Sequence, residues 1–251
     1  MISVVSHGHA DKVQQLLNDI ASFSFQSVSR VILTINRPEP EPQAPEGGWP
    51  FILQIQHNKR PLGFGANHNR ALSDATEAFV CVLNPDVRWS GVDPLPYLVK
   101  ALQITGAGCS YPLQIDNAGF SQESERTVPT PSALLRRRLF GFKESSRVDW
   151  VNAACIALPL AVWRQLDGFD ERYFMYCEDV DFCLRLRLLG FKLVRAPVRV
   201  IHAGERASSY SLAHFAWHLR SLLRLWRSPV YRRAIQFLTL ASTSNGTIGT
   251  Q

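Results

Sequence analysis

The chain has 251 residues, of which 46% are hydrophobic and 19% charged; this suits a folded domain with a sizeable core and excludes an intrinsically disordered chain. The formal net charge of +6 permits an anionic partner such as nucleic acid, a phosphorylated substrate or an acidic membrane surface. No apolar run is long enough to span a bilayer, and MISVVSHGHA at the start lacks the basic and long apolar parts of a signal peptide, so a cytoplasmic location is expected.

In chain order, ISVVS (2–6) predicts a short buried strand. Val13, Leu16, Leu17, Ile20 and Phe23 recur at helical spacing behind Asp11, a helix start signal. RVILTI (30–35) is a second β-branched run, so the chain opens as a βαβ unit. The proline-rich stretch NRPEPEPQAPEGGWP is a loop, FILQIQ a further strand and Gly65 to Ala78 a helix. FVCVL is an apolar strand that stops at NPDV, where Asn-Pro imposes a turn. Pro94 to Thr105 predicts a helix and GAGCSYPLQI a strand; from 116 to 147 the pattern degrades, and a mobile or partner-dependent segment is expected. Order resumes at VDWVNAACIALP. KLVRAPVRVIHAG is strand material, and Ser208 to Trp226 has an apolar side with basic flanks. ASTSNGTIGTQ predicts a disordered tail.

This alternation predicts an α/β domain with a mostly parallel central sheet, whose ligands bind at the carboxyl ends of the strands. Cys81, Cys109, Cys155, Cys177 and Cys183 form no CxxC pair and sit mostly in apolar runs, so they are expected to be reduced core residues.

Four stretches hold candidate chemistry. HNKRPLGFGANHNRAL has glycines that permit close backbone approach and asparagines that offer neutral hydrogen bonds; alone it is a glycine turn before a helix. In LNPDV, Asp86 stands at a strand end, where a carboxylate can hold a hard cation or be an ordinary turn residue. EDVD (178–181) sets its acids in a first helical turn, where the macrodipole favours them without any function, and Asp181 pairs with Arg185 at i,i+4. His202 follows an apolar strand in VIHAG.

Each signal is weak alone, but their order is similar to one family. NKRPLGFGANHN (58–69), LNPDV (83–87), WVNAACIALP (150–159), GFDERYFMYCEDVDFCLRLRLLGFKL (168–193) and VIHAG (200–204) together resemble a family 2 inverting glycosyltransferase of GT-A (Rossmann-like) fold, in its rhamnosyltransferase-like branch. The resemblance implies transfer of a sugar, with rhamnose a candidate, from a nucleoside diphosphate donor to an acceptor hydroxyl in cell-surface polysaccharide or lipopolysaccharide synthesis. It implies Asp179 as general base and Asp86 with His202 around Mg²⁺ or Mn²⁺. Donor contacts fall to Asn36, Asn58, Gly65, Asn67, Asn84 and Asp86. Acceptor contacts fall to Trp150, Glu178 and Asp181. Asn84 stands where the family's DxD has its first acid, which lowers the negative charge of the metal site.

The expected organisation is a glycosyltransferase domain over 1–204, in which 116–147 is flexible or faces the acceptor or membrane. A basic amphipathic helical segment follows over 205–240, then a disordered tail over 241–251. Partners are a nucleotide-sugar donor, a glycan or lipid-linked acceptor and the inner membrane face at the periphery. Nucleic acid is not expected, because the basic residues lack a recognition motif. The alternative is a catalytically degenerate sugar-nucleotide-binding protein.

Overall fold

Alternating strands and helices build an eight-stranded sheet with a helical layer on each face in the computed structural model, which describes residues 1–140, 147–202 and 212–246. β1 (Ile2–Ser6) lies between β2 (Arg30–Ile35) and β4 (Phe79–Leu83), parallel to both. β3 (Ile52–His57) extends this parallel half at the edge. β9 (Cys155–Pro159) then runs antiparallel between β4 and β6 (Ala107–Ile115). β10 (Lys192–His202) pairs parallel with β6, and β5 (Val87–Trp89) closes the far edge antiparallel to it. The mostly parallel sheet is therefore present, with β9 as the antiparallel insertion.

Period-two alternation assigns each strand's side chains to two layers. Ile2 and Val4 of β1 join a core with Val13, Leu16, Leu17 and Ile20 of α1 (Ala10–Phe23) and Leu95 and Leu98 of α3 (Leu95–Ala101). Ser3, between them, faces the opposite layer, where its hydroxyl meets Nδ1 of the buried His68 at 2.7 Å. Burial depresses His68 to about 3, so it is a neutral core residue. It belongs to α2 (Phe64–Leu72), which is shorter than the stretch to Ala78 expected from sequence. That second layer also holds α5 (Leu160–Gln165), α6 (Glu178–Leu188) and α8 (Pro229–Gly246). At its centre Phe169 lies 5.3 Å from Trp163 and 4.8 Å from Phe182, measured between ring centroids. All five cysteines are free and buried.

Two stretches carry more regular structure than their sequence pattern suggests. The stretch after residue 115 carries regular structure: β7 (Glu125–Arg126) pairs with β8 (Trp150–Val151), and α4 covers Pro131–Phe140. Its propensities are weak because long-range pairing, not local pattern, orders it. Residues 141–146, which include the end of the RRRLFGFK run, lie outside the described residues. At the C-terminus α7 covers Leu212–Arg227 and α8 continues to Gly246, so the expected disordered tail is helical as far as 246. Residues 247–251 lie outside the described residues, as do 203–211, where the domain boundary was placed. Among the described residues no helix is long and apolar enough to cross a membrane.

Candidate active site

The sheet register brings Asp86 and His202 together. His202, the last residue of β10, is paired with Val87, the first of β5, and Asp86 directly precedes Val87. His202 Nε2 lies 3.5 Å from Asp86 Oδ1, both side chains half-buried at the strand ends. Burial opposes ionisation of Asp86, but the hydrogen bond and charge of His202, with Lys12, outweigh it and hold the carboxyl below its ordinary value. Gln122 fixes the imidazole: its Oε1 is 3.2 Å from His202 Nδ1, and its Nε2 donates to the His202 carbonyl at 2.7 Å. Gln122 Oε1 can only accept, so Nδ1 carries a proton, and Nε2 is the nitrogen turned to Asp86, where it donates when protonated and could ligate a cation when not. Asn84 begins the same turn: its N–H donates to the Ala154 carbonyl and its carbonyl accepts from Val87.

Among the described residues no cluster of three His, Cys, Asp or Glu side chains could hold a metal alone. A carboxylate and an oriented imidazole fit a divalent ion whose remaining ligands are diphosphate oxygens and water, the arrangement Mg²⁺ and Mn²⁺ favour.

Asp179 stands in the first turn of α6. Tyr176 and Cys177, immediately before the helix, both have left-handed backbones, with φ of 70° and 65°. Neither is glycine, and each such residue costs roughly 1–3 kcal/mol, which the surrounding packing must hold in place. The turn aims Asp179 away from Asp181, two residues on and therefore on the other side of the helix. Burial raises the Asp179 carboxyl to about 6, against the opposing Val180 N–H at 2.8 Å and the charge of Arg126. Glu178 is more deeply buried, and its Oε2 has no hydrogen-bond partner. Burial, then the neighbouring Asp179, push its carboxyl well above the usual range, which favours its acid form.

The β7–β8 ribbon connects the two groups. Gln122, just before β7, touches His202, and the Asn152 N–H, just after β8, donates to the Ser124 carbonyl. Arg126 of β7 opposes Trp150 of β8 and supplies the charge felt by Asp179, while Cys183 of α6 donates to the Val151 carbonyl at 3.6 Å.

Several side chains expected to meet ligands are occupied elsewhere. Asn36, Asn58 and Asn67 form one network. Asn36 donates to His7 Nδ1 and the Leu62 carbonyl, and its Oδ1 accepts from Asn58 and from the Leu62 N–H. Asn67 donates to the Leu62 and Gly63 carbonyls and accepts from Asn58 at 2.6 Å. With their amides taken, these residues shape the 58–63 loop and do not present free groups to a donor. Gly65 approaches the chain itself: a Cβ there would sit 2.6 Å from Phe169 Cβ. Trp150 is a core residue; its Nε1 donates to the Thr127 carbonyl at 2.8 Å, and the Arg126 guanidinium lies 5.4 Å over the ring, where a sugar face was expected. Asp181 is buried against Arg185 at 2.7 Å, and Arg185 also donates to the Leu166 and Gly168 carbonyls. Through Arg185 it anchors the 166–168 loop.

The GFDE-x-x-F stretch is explained by the same packing. Gly168 has φ of 63°, and a Cβ there would collide with Asn69 Oδ1. Asn69 clamps the next residue from both sides, donating to the Phe169 carbonyl and accepting from its N–H, each at 2.8 Å. Further on, the Phe174 carbonyl accepts from the Phe64 N–H at 2.9 Å, an approach that leaves no room for a side chain on Gly63.

Sequence reasoning also missed a set of residues on α7. His214 Nδ1 is 2.8 Å from the Tyr176 hydroxyl, His218 stacks on the Tyr176 ring at 5.0 Å, and Trp217 lies 5.1 Å from Phe174. Ser221 donates to the Met175 carbonyl at 2.8 Å. These residues sit at i, i+3, i+4 and i+7, a helical stripe visible in the sequence without its target.

No family model matches the chain. Rhamnosyltransferase WbbL of Escherichia coli (strain K12) is 29% identical over 252 aligned positions, which cover 89% of this chain and 90% of that protein. The N-acetylglucosaminyl-diphospho-decaprenol L-rhamnosyltransferase of Mycobacterium tuberculosis is 27% identical, covering 91% of this chain and 87% of its own length. The chain is a glycosyltransferase, similar to these rhamnosyltransferases over nearly its whole length. The fold of this glycosyltransferase is GT-A: the mannosyltransferase PcManGT from Pyrobaculum calidifontis, solved with GDP-Man and Mn²⁺, superposes over 100% of this chain and 75% of its own, with a TM-score of 0.60 at 15% identity. TarS of S. aureus matches over 94% of this chain but 41% of its own, with a TM-score of 0.61 at 16% identity.

Proposed function

We propose that this glycosyltransferase transfers a sugar, rhamnose being the candidate its relatives suggest, from a nucleoside diphosphate to a hydroxyl of a lipid-linked or glycan acceptor in cell-envelope polysaccharide assembly. Transfer inverts the anomeric centre, and Asp179 is the general base. The observation that carries this reading is the placing of Asp179: it is partly exposed at a strained helix start, its carboxyl is raised to about 6, and the β7–β8 ribbon ties it to the Asp86–His202 pair. The acceptor oxygen forms a bond to the anomeric carbon while Asp179 takes its proton; the bond to the diphosphate breaks, and its electron pair leaves with the phosphate oxygen.

Asp86 and His202 would hold a divalent ion at the diphosphate, with Asn84 beside them. Bound there, the ion neutralises charge developing on the leaving group. Phe174 and Tyr176 of the loop before the base pack on Trp217 and His218 of α7, and this aromatic group would limit water around the acceptor hydroxyl. A lipid-linked acceptor would place the enzyme at the inner face of the cytoplasmic membrane.

Asp179→Asn should lower transfer by about 10²–10⁴-fold and leave donor binding unchanged in calorimetry. Retained turnover would remove Asp179 as the base. Asp86→Ala should abolish the metal dependence of donor binding, whereas a degenerate binding protein would hold donor in both variants with no turnover in the parent.

A further inference from the structure

α7 divides its residues among three directions. Ser221, with His214, Trp217 and His218, meets the loop before α6. Leu225 is buried, with Leu222 and Trp226 packed on the same core, and Trp226 Nε1 donates to the Pro129 carbonyl at 2.7 Å. The remaining direction is the unusual one. Phe215, Leu219 and Leu223 recur every fourth residue along it and are 64%, 46% and 38% exposed. A helix facing water would put polar groups here. Arg220, Arg224 and Arg227 run along one side of the stripe, with Leu222 and Trp226 turning to the core on the other, and α8 carries Arg232, Arg233 and the exposed Phe237. From Leu212 to Gly246 there are five arginines and no Asp or Glu, so this region is uniformly positive. Among the described residues no carboxylate pairs with any of the five.

We infer that the outer stripe of α7 docks on an anionic phospholipid bilayer, with Phe215, Leu219 and Leu223 entering the headgroup region and the arginines engaging lipid phosphates. An exposed apolar stripe with cations along one side, on a pair of helices without an acid, complements a negative surface with an apolar interior. A second copy of this chain would bring the same five positive charges against themselves. The opposite side of the helix grips Met175 and Tyr176, so docking holds the base-bearing loop at a fixed height over the lipid surface. The inference rests on the glycosyltransferase reading for its purpose and on the helix alone for its geometry.

The test uses the full chain without donor or acceptor. It should co-sediment with vesicles of phosphatidylcholine mixed with phosphatidylglycerol and stay in solution with phosphatidylcholine alone. The variant F215S/L219S/L223S should bind anionic vesicles about tenfold less or weaker still, and R220Q/R224Q/R227Q should lose the salt-sensitive part of the binding. Phe215→Trp is a small change at an exposed site, and the indole emission it adds over the parent should shift to the blue on anionic vesicles. The inference is overturned by a parent chain that ignores anionic vesicles, by a triple serine variant that binds as well as the parent, by an added F215W emission that does not shift, or by a dimer in light scattering that the same serine variant dissolves. Asp179→Asn should bind vesicles normally, so loss of transfer and loss of docking are read separately.

Discussion

Glu178 and Asp179 are chain neighbours whose surroundings divide their labour. Glu178 is enclosed, and its acid form is favoured by burial and by the adjacent carboxylate; Asp179 is partly open and raised only to about 6. Glu178→Gln, an isostere of the neutral acid, should therefore keep transfer within a few-fold of the parent, in contrast to Asp179→Asn. As the proposed base, Asp179 would work deprotonated, so kcat/KM should be level above pH 6 and fall about tenfold per unit below it. Stability carries the opposite sign. A carboxyl raised on folding contributes stability below its unfolded value, near 3.8, and that contribution is lost as pH rises through about 6. Asp179→Asn should accordingly stabilise the fold at pH 8 by roughly 1–3 kcal/mol, and by little at pH 4, in thermal melts. The sequence suggested these acids as a helix start, which they are. Which one is enclosed depends on Cys177 and the chain turning left-handed before it, and no local pattern announces that.

The loop from Gly168 to Cys177 has three tethers: the Asn69 clamp at its start, the Phe64–Phe174 backbone bond in its middle and the α7 stripe at its end. Gly168→Ala should both strain a backbone at φ of 63° and push Asn69 out of its clamp, destabilising by roughly 2–4 kcal/mol in denaturant titration. Asn69→Ala should lose the clamp alone and cost less. Strand positions were legible because β-branched runs and turn residues are local signals. The partners of this loop were not, because asparagines at 58, 67 and 69 look alike in sequence and differ only in what the fold sets opposite them.

Across the whole molecule, Phe182 at the centre of the second layer tests the packing on which the loop rests. Phe182→Ala should cost about 3–5 kcal/mol, read as a lower Tm with donor affinity kept below the new midpoint. The α/β class and the site's outline were readable from alternating elements and motif order, but the Asp86–His202 contact needed the β5–β10 register, and the α7 stripe needed a loop to touch. The bond from Phe64 N–H to the Phe174 carbonyl has a kinetic consequence. The Asn-braced loop at 58–63 leads straight into Phe64, and Phe174 lies five residues before Asp179, so the two loops share a backbone joint. Opening of one loop is then passed to the other, and the amides of 58–64 and 168–177 should exchange with solvent together. Hydrogen-exchange mass spectrometry should show Asn69→Ala speeding exchange in both stretches and not in the 168–177 loop alone.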